Sequence, residues 1–441
     1  MQINDGFDEE SGISIVFNGE IYNHLDLRKK LPTNIIYRGH SDSETILYYL
    51  IHYGIKGVSD FNGIFAFSLL DMVSGKIYLA RDPFGVKPLY YHFSESKLIF
   101  SSEIRPISSL VEYRSLNDLA LASLLRLRYN ASPHTLYNEI HKVRPGHYIS
   151  FDLSKPQLTL AETFFTYKLP KKIRGSSDNL THYYGGELGK AVKRQLLADV
   201  EVGVLLSGGI DSALVAALAQ KQQKSKLKAF TIGFDGDFVE DEVRDAEQTA
   251  QILGLEHHVK IITFNDFLGL VQECTRIVEE PLATTSMIPM FSLAQTASDH
   301  VKVVLTGQGA DEPLGGYARY RSEIIRQNIP SFFHGFAKSV LKISRSKNER
   351  LIRGVNAISI RDDVQRFLSV YEIFTSREIQ QLIGSKDSLS QDYITSLYNL
   401  LSCQEMKYSA ERMMAIDARM NLSDDLLTYT DKITMNFSIE C

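Results

Sequence analysis

VLLSGGIDSA, residues 204–213, opens as a continuous apolar run, breaks at Ser207-Gly208-Gly209, and resumes at Asp211-Ser212 as the start of a helix. Paired glycines allow a sharp turn and a close approach of backbone to an anion. The helix that follows offers unpaired N–H groups and the positive end of its dipole. Ser207 and Ser212 add hydroxyl donors. Asp211 is the odd member, because a carboxylate beside phosphates repels them unless a cation intervenes. Mg²⁺, which takes oxygen ligands and substrate phosphates, resolves the conflict. The stretch has no lysine of the Walker A kind, so it reads as a different phosphate site. A plain glycine-rich turn is the competing reading.

The surrounding rhythm supports a ligand-binding loop. LKAFTIGF, EHHVKII and HVKVVLTGQG read as strands, with DSALVAALAQ, DEVRDAEQTAQIL and FNDFLGLVQECTRIV as helices among them. Such alternation predicts parallel βαβ units with ligands at the C-terminal strand ends. One of these strands runs into a second acidic turn, TGQGADEPLGGY (306–317). Asp311 is therefore expected on the same sheet edge as Asp211, either sharing its cation or capping a helix. From Tyr317 onward the pattern is helical almost to the end.

The first part of the chain reads differently. GISIVF and IFAFSLLD alternate, with Phe65, Phe67 and Leu69 on one side, and KIYLA, PLYYHF and KLIFSS follow at hairpin distance. VFNGEIYNH (16–24) ends an apolar run in Asn18-Gly19-Glu20, which by itself reads as a hairpin or β-bulge turn. Ser41 and Glu44 form a capping-box pattern before TILYYLI, and Asp42 reads as a second cap residue. Strands covered by helices predict an α+β layered domain. Residues 168–180, KLPKKIRGSSDNL, are the linker candidate.

Composition excludes more than it selects. The chain has 441 residues, 44% of them hydrophobic, and a formal charge of -5. That acidity tells against a dedicated nucleic-acid binder, and the basic stretch Lys338, Lys342, Arg345, Lys347, Arg350 and Arg353 reads as a solvated helix face. Cys274, Cys403 and Cys441 suggest neither a disulfide framework nor a metal site. No apolar run reaches the roughly 18 residues of a membrane span, and no signal-peptide pattern is present. A cytoplasmic location is expected.

Taken together, FNGEIYNH (17–24), GHSDSETIL (39–47), FNGIFAFSLLD (61–71), ARDPFGVKPLYY (80–91), SSEI (101–104) and the two glycine-rich loops resemble glutamine-dependent asparagine synthetase. The resemblance follows the family's order along nearly the whole chain. It implies an N-terminal-nucleophile glutaminase sandwich over residues 1–167. An α/β ATP-pyrophosphatase (PP-loop) domain with a parallel sheet and a helical C-terminal part follows over 181–441. Asn18 and Gly19 would form the oxyanion hole, with Asn18, Glu20 and Asp42 holding glutamine. Ser207, Gly208, Gly209 and Ser212 would hold the pyrophosphate of ATP, Asp211 and Asp311 a Mg²⁺ ion, and Leu206, Ile232 and Gly307 would border the adenosine. Lys432 matches a family lysine near the phosphates, with a surface lysine as the alternative. His257 and His258, just ahead of a strand, are expected to be a hydrogen-bonded structural pair. Aspartate would be activated as β-aspartyl-AMP and attacked by ammonia channelled from glutamine. A homodimer is possible within this scheme; nucleic acid and membrane are not expected as partners.

Three departures from the family pattern matter. The family's nucleophilic cysteine opens the mature chain, whereas this sequence begins with Met1 and reaches its first cysteine at Cys274. MNFSIEC (435–441) resembles the start of a segment that the family continues, so further sequence is expected at both ends. Gln308 stands where the family often has glutamate, and an amide takes no proton at neutral pH. Another carboxylate acceptor, as in cell-surface polysaccharide or β-lactam-forming relatives, thus stays open, as does an inactive ATP-binding scaffold. A tRNA-modifying or NAD-forming pyrophosphatase would not need NGEIYNH or RDPFGVKPLYY. The segment PLATTSMIPM (281–290) is placed at the acceptor pocket.

Overall fold

In the computed structural model, which describes residues 6–8, 12–94, 97–155, 157–159, 162–165, 175–236, 242–328, 357 and 359–441, the alternating N-terminal runs pair as antiparallel strands. The basic stretch at 338–353 and residues 168–174 of the linker candidate lie outside the described residues. In chain order the first elements are β1 (Gly6–Asp8), β2 (Ile13–Ile21), α1 (His24–Arg28), α2 (Asp42–Tyr53), β3 (Gly63–Asp71), β4 (Lys76–Arg81) and β5 (Tyr90–Ser94). Then come β6 (Lys97–Ser101), α3 (Ile104–Leu110), α4 (Asp118–Leu127), β7 (His141–Lys142), β8 (His147–Asp152), β9 (Gln157–Leu158) and β10 (Glu162–Thr163). The main sheet runs β1-β2-β3-β4-β8-β10, with β9 also on β8, and a smaller sheet runs β6-β5-β7.

Strand alternation explains the layers. Phe65, Phe67 and Leu69 of β3 face the same way and pack with Phe17 of β2 and Leu47 and Leu50 of α2. Ala66 of β3 faces the other way and packs with Leu79, Leu89, Val143 and Ile149, against the smaller sheet. Phe65 is fully buried, and each such side chain contributes about 1.5–3 kcal/mol. Asn18-Gly19-Glu20 is not a turn, since β2 continues through it in register with Ala66, Phe65 and Ile64 of β3. The capping box is half formed. The Ser41 hydroxyl accepts from the Glu44 amide, but the Glu44 carboxylate accepts instead from the Arg38 and Gly39 amides.

The second half is α/β. It comprises α5 (Ser177–Gln195), β11 (Val202–Leu205), α6 (Ile210–Gln220), β12 (Lys228–Phe234), α7 (Glu242–Leu253) and β13 (Glu256–Ile262). It continues through α8 (Phe264–Val278), α9 (Met287–Ser298), β14 (Val303–Leu305), α10 (Asp311–Leu314) and α11 (Ala318–Asn328). The sheet order is β13-β12-β11-β14, all parallel. Helices Asp363–Tyr371, Ser376–Ile383, Leu389–Leu400 and Ser409–Asp417 follow, and a π-helical turn, Leu422–Leu427, leads into a last helix, Thr428–Asn436. His257 and His258 lie within β13, not ahead of it. The free edge of β14 is covered by the chain end, where Val304 N–H donates to Glu440 O and Glu440 N–H to Lys302 O. Among the described residues no helix is long and apolar enough to cross a membrane.

Candidate functional site

In the parallel sheet the strand order reverses between β11 and its neighbours. The chain steps from β11 to β12 on one side and later returns to β14 on the other. A crevice opens at the C-terminal ends of strands flanking such a switch point. The loops leaving β11 and β14 are Ser207–Gly209 and Thr306–Ala310, so both glycine-rich segments border that crevice. Gly307 lies directly against the start of α6. A methyl group there would come within 2.7 Å of Ser212 N and 2.9 Å of the Asp211 carbonyl carbon. Gly208 is hemmed in less tightly, with atoms of Glu242 and Asp245 of α7 3.1–3.2 Å from a would-be Cβ.

The loop after β11 is held open by its own serines. The Ser207 amide donates to Ser212 Oγ at 3.1 Å, the two hydroxyls lie 2.9 Å apart, and the Gly209 amide donates to Ser207 Oγ. Asp211 sits in the first turn of α6, where burial and then the charge of Asp311 raise its pKa. Two carboxylates that repel each other beside a phosphate-type loop fit a hard divalent cation, and Mg²⁺ usually keeps water and substrate oxygens for its remaining positions. Among the described residues no group of three or more His, Cys, Asp or Glu gathers as a metal cluster.

The neighbouring strand braces this loop. The Thr231 hydroxyl donates to Leu206 O at 2.7 Å and therefore accepts from His257 Nε2 at 2.7 Å, which puts the proton on Nε2. His257 is thus a structural partner of the loop. His258 pairs separately with Glu256 and stacks on Phe230. Leu206, just past the end of β11, is buried, and Ile232, within the neighbouring β12, is half-buried. On the far side Gln308 is fixed at both ends. Its Nε2 donates to Tyr429 Oη at 3.2 Å, and its Oε1 accepts from Thr430 Oγ1 at 2.9 Å. The segment at 281–290 is tied in through the Ala283 amide, which donates to Arg128 O.

The N-terminal candidates gather elsewhere. Asn18, Gly19, Glu20 and Asp42 line one cavity of about 720 Å³. Gly19 has φ +132°, and a side chain there would sit 2.0 Å from Ile64 O, so only glycine fits this strand position. Asp42 serves both the first turn of α2 and β2. Its Oδ2 accepts from the Ile21 amide at 2.8 Å and its Oδ1 from Ser43 N–H. Glu20, though exposed on the cavity wall, is pushed up to about 7 by desolvation and the charges of Asp42 and Glu440.

Lys432 lines this same cavity. It is no surface lysine: its Nζ bonds Glu279 Oε2 at 2.7 Å and both side chains are almost fully buried. Its ammonium meets Glu279 and, at 5.0 Å, the ring of Tyr90, neither of which belongs to the 206–212 loop. A second cavity, of about 380 Å³, is bounded by Tyr22, Ile64 and Val86 on one side and by Thr306, Gln308 and Thr430 on the other. Asp431 and Glu440 border both cavities. Between them the fully buried Lys87 ammonium bonds Asp431 Oδ1 at 2.7 Å and Glu440 Oε1, which raise its pKa despite burial. The Lys87–Asp431–Glu440 cluster was not singled out in the sequence, although Lys87 lies in the quoted ARDPFGVKPLYY. Lys87 and Asp431 are separated by 344 residues and nothing local marks them as partners.

Comparison with known proteins agrees with both halves. Residues 7–162 match the glutamine amidotransferase domain family, and residues 184–441 match the asparagine synthase family. A putative glutamine-hydrolysing asparagine synthetase of Mycobacterium bovis is 31% identical over 442 residues, 97% of this chain and 66% of that protein. Glutamine-hydrolysing asparagine synthetase 1 of Bacillus subtilis is 30% identical over 98% of this chain and 68% of its own length. Amidase chry2 of Gibberella zeae is 31% identical over 73% of this chain and 50% of its own. The chain spans about two thirds of the length of the first two relatives. This chain belongs to the asparagine synthase family, with a glutamine amidotransferase domain ahead of the asparagine synthase domain.

Proposed function

We propose that the protein is a glutamine-dependent amidotransferase. It would activate the side-chain carboxylate of aspartate as an acyl-adenylate and pass ammonia to it, releasing AMP and pyrophosphate. The observation that carries this reading is the pairing of β11 with β14, which sets SGGIDS and TGQGAD on the two sides of one switch-point crevice. Ser207, Gly208, Gly209 and Ser212 present backbone and hydroxyl donors suited to a pyrophosphate. Leu206 and Ile232 offer an apolar border for the nucleoside, and Gly307 lets the second loop approach the first closely beside it. Asp211 and Asp311 would hold Mg²⁺, whose charge, when bound, offsets that of the phosphates during adenylation.

In the N-terminal cavity, Asn18 and the Gly19 amide are the proposed donors to a developing oxyanion, and Glu20 and Asp42 the groups that hold glutamine. Among the described residues no cysteine lines that cavity. The domain boundaries proposed are 1–167 and 181–441. Ammonia would pass from the larger cavity to the smaller one past Asp431 and Glu440, which both share. Lys432, held by Glu279 in the larger cavity, is better suited to that route than to a phosphate contact. A cytoplasmic enzyme is the proposed setting.

A second reading, another carboxylate acceptor, is favoured by Gln308. Its amide is locked by Tyr429 and Thr430 and supplies no base. The test for both is product analysis with ATP, Mg²⁺, ammonium and a panel of acceptors. AMP and pyrophosphate that depend on aspartate support the first reading, and the same products with a different carboxylate support the second. ADP as product sinks both.

A further inference from the structure

Arg128 ends α4 at φ +77°, in the left-handed region that a bulky side chain enters only at a cost. Glycine is the residue that this helix end favours. Such strain persists where the surroundings over-determine it, and it gathers at ligand sites. What the conformation achieves here is placement. The Arg128 carbonyl accepts from the Ala283 amide of the 281–290 segment. Its guanidinium, on a side chain 40% exposed, reaches Asp425 of the π-helical turn, with Nη2 4.0 Å from Oδ2. At that separation the charges attract, but no hydrogen bond forms. The hydrogen-bonding capacity around the pair is unspent: Arg128 Nε, Asp425 Oδ1 and Tyr129 Oη are buried and have no hydrogen-bond partner. Tyr129 is close enough to feel the charges of both. The adjacent Asp424 is filled by contrast, accepting from the Ser132 amide and hydroxyl and from the Tyr393 hydroxyl. Buried polar groups left unpaired cost free energy that a complementary ligand would return. The place also adjoins the crevice. Asp425 lies four residues ahead of Tyr429 and its charge acts on that residue. Tyr429 in turn accepts from Gln308, in the loop after β14, and meets Ser286 of the 281–290 segment.

We propose that Arg128 and Asp425 determine acceptor specificity by holding the head of an α-amino acid, the guanidinium taking its carboxylate and Asp425 its ammonium. The inference rests on the aspartate-activating reading above and names the residues that would select that acceptor over a plain dicarboxylate. A cation and an anion set side by side mirror the anion and cation borne on one amino-acid carbon. Guanidinium forks suit carboxylates bidentately, and Tyr129 Oη offers a third, unfilled position. An acceptor without the amino group leaves Asp425 Oδ1 as unpaired as it is in the free protein. The strained backbone of Arg128 then has a use, since the same residue anchors the 281–290 segment through its carbonyl and presents the guanidinium beside it.

The test titrates the whole chain calorimetrically with L-aspartate and with succinate, which differ only in the amino group. Mg²⁺ and α,β-methylene-ATP are present, because this analogue cannot release AMP and so stops adenylation. The expected result is that aspartate binds at least about tenfold more tightly than succinate, as hydrogen bonds to a charged group imply. Arg128→Gly should weaken aspartate at least about tenfold, and Asp425→Asn should bring aspartate down to the level of succinate. Stability supplies the second readout. In the Asp425→Asn background, which removes the ion pair from the comparison, Arg128→Gly should unfold at a higher temperature, because glycine takes a positive φ without strain. A lower unfolding temperature would mark an arginine kept for packing and overturn the proposal. If the analogue binds but aspartate gains nothing over succinate, or keeps its affinity in either variant, the proposal falls while the adenylating reading stands. If the analogue does not bind, both fall.

Discussion

Gly307→Ala tests whether the two loops form one site. Its methyl carbon would lie 2.7 Å from Ser212 N, where ordinary contact begins at 3.4 Å, so loop and helix must part by about 0.7 Å. The obstructing atoms are backbone at the first turn of α6 and cannot swing aside as a side-chain tip would. Overpacking of this kind costs about 1–3 kcal/mol. If the proposed nucleotide site spans both loops, ATP binding must either restore the closed geometry or accept misplaced donors. At about 1.4 kcal/mol per tenfold, the loss of ATP affinity should reach about fivefold to a hundredfold. Isothermal titration of ATP into wild type and variant measures it. Gly185→Ala, in α5 with open space around its Cβ position, is the control. It should leave affinity unchanged and stabilise the helix by about 0.5–1 kcal/mol. A Gly307→Ala protein that binds ATP as tightly as wild type would refute the idea that β11 and β14 loops act as one cradle.

Lys87→Met leaves Asp431 and Glu440 without their shared cation; denaturant unfolding should show a loss of about 3–5 kcal/mol. Adding Asp431→Asn should recover part of it, and a single variant within 1 kcal/mol of wild type would contradict the pairing. Asp425, 2% exposed, is lifted by burial to about 6, with Arg128 lowering and Asp424 raising it. The folded state then holds this proton more tightly than the unfolded chain. Its contribution favours folding below the ordinary 3.8 and is withdrawn as pH rises to about 6, at most about 3 kcal/mol. Asp425→Asn should gain stability over wild type across that window, and a pH-independent difference would count against the shift. Cys274 and Cys403 are fully buried, with thiols pushed up to about 11 and about 12 by burial. Iodoacetamide at neutral pH should leave both unmodified in the native protein and modify them after unfolding; rapid native labelling would contradict their packing.

What could be read before folding was mostly local. SGGIDS between an apolar run and a helix is a contiguous pattern, and its strand, loop and helix appear where expected. Asn18-Gly19-Glu20 misled because glycine in an alternating run signals a turn as readily as a crowded strand. The deciding fact is the Ile64 carbonyl opposite, 45 residues later in the chain. Asp42 reads as a cap because it follows Ser41, and one carboxylate oxygen does accept from the Ser43 amide, but the other reaches back across to β2, which no local pattern shows. Lys432 was placed by likeness, and its Glu279 partner lies 153 residues away. Pairings of that span depend on how the two halves dock, which no local periodicity encodes.

The position of β14 has a consequence in time. It pairs with β11 at Val202↔Val303, 101 residues later in the chain. At a synthesis rate of about 5–20 residues per second, SGGIDS leaves the ribosome roughly 5–20 s before the strand that carries TGQGAD. Glu440, which seals the outer edge of β14, comes 137 residues later still. For that interval the nascent chain has one wall of its crevice and an uncovered sheet edge. Any nucleotide present in the cell can reward only the finished arrangement and cannot template the first half, so a chaperone holding the uncovered edge would have most to offer before residue 303 emerges.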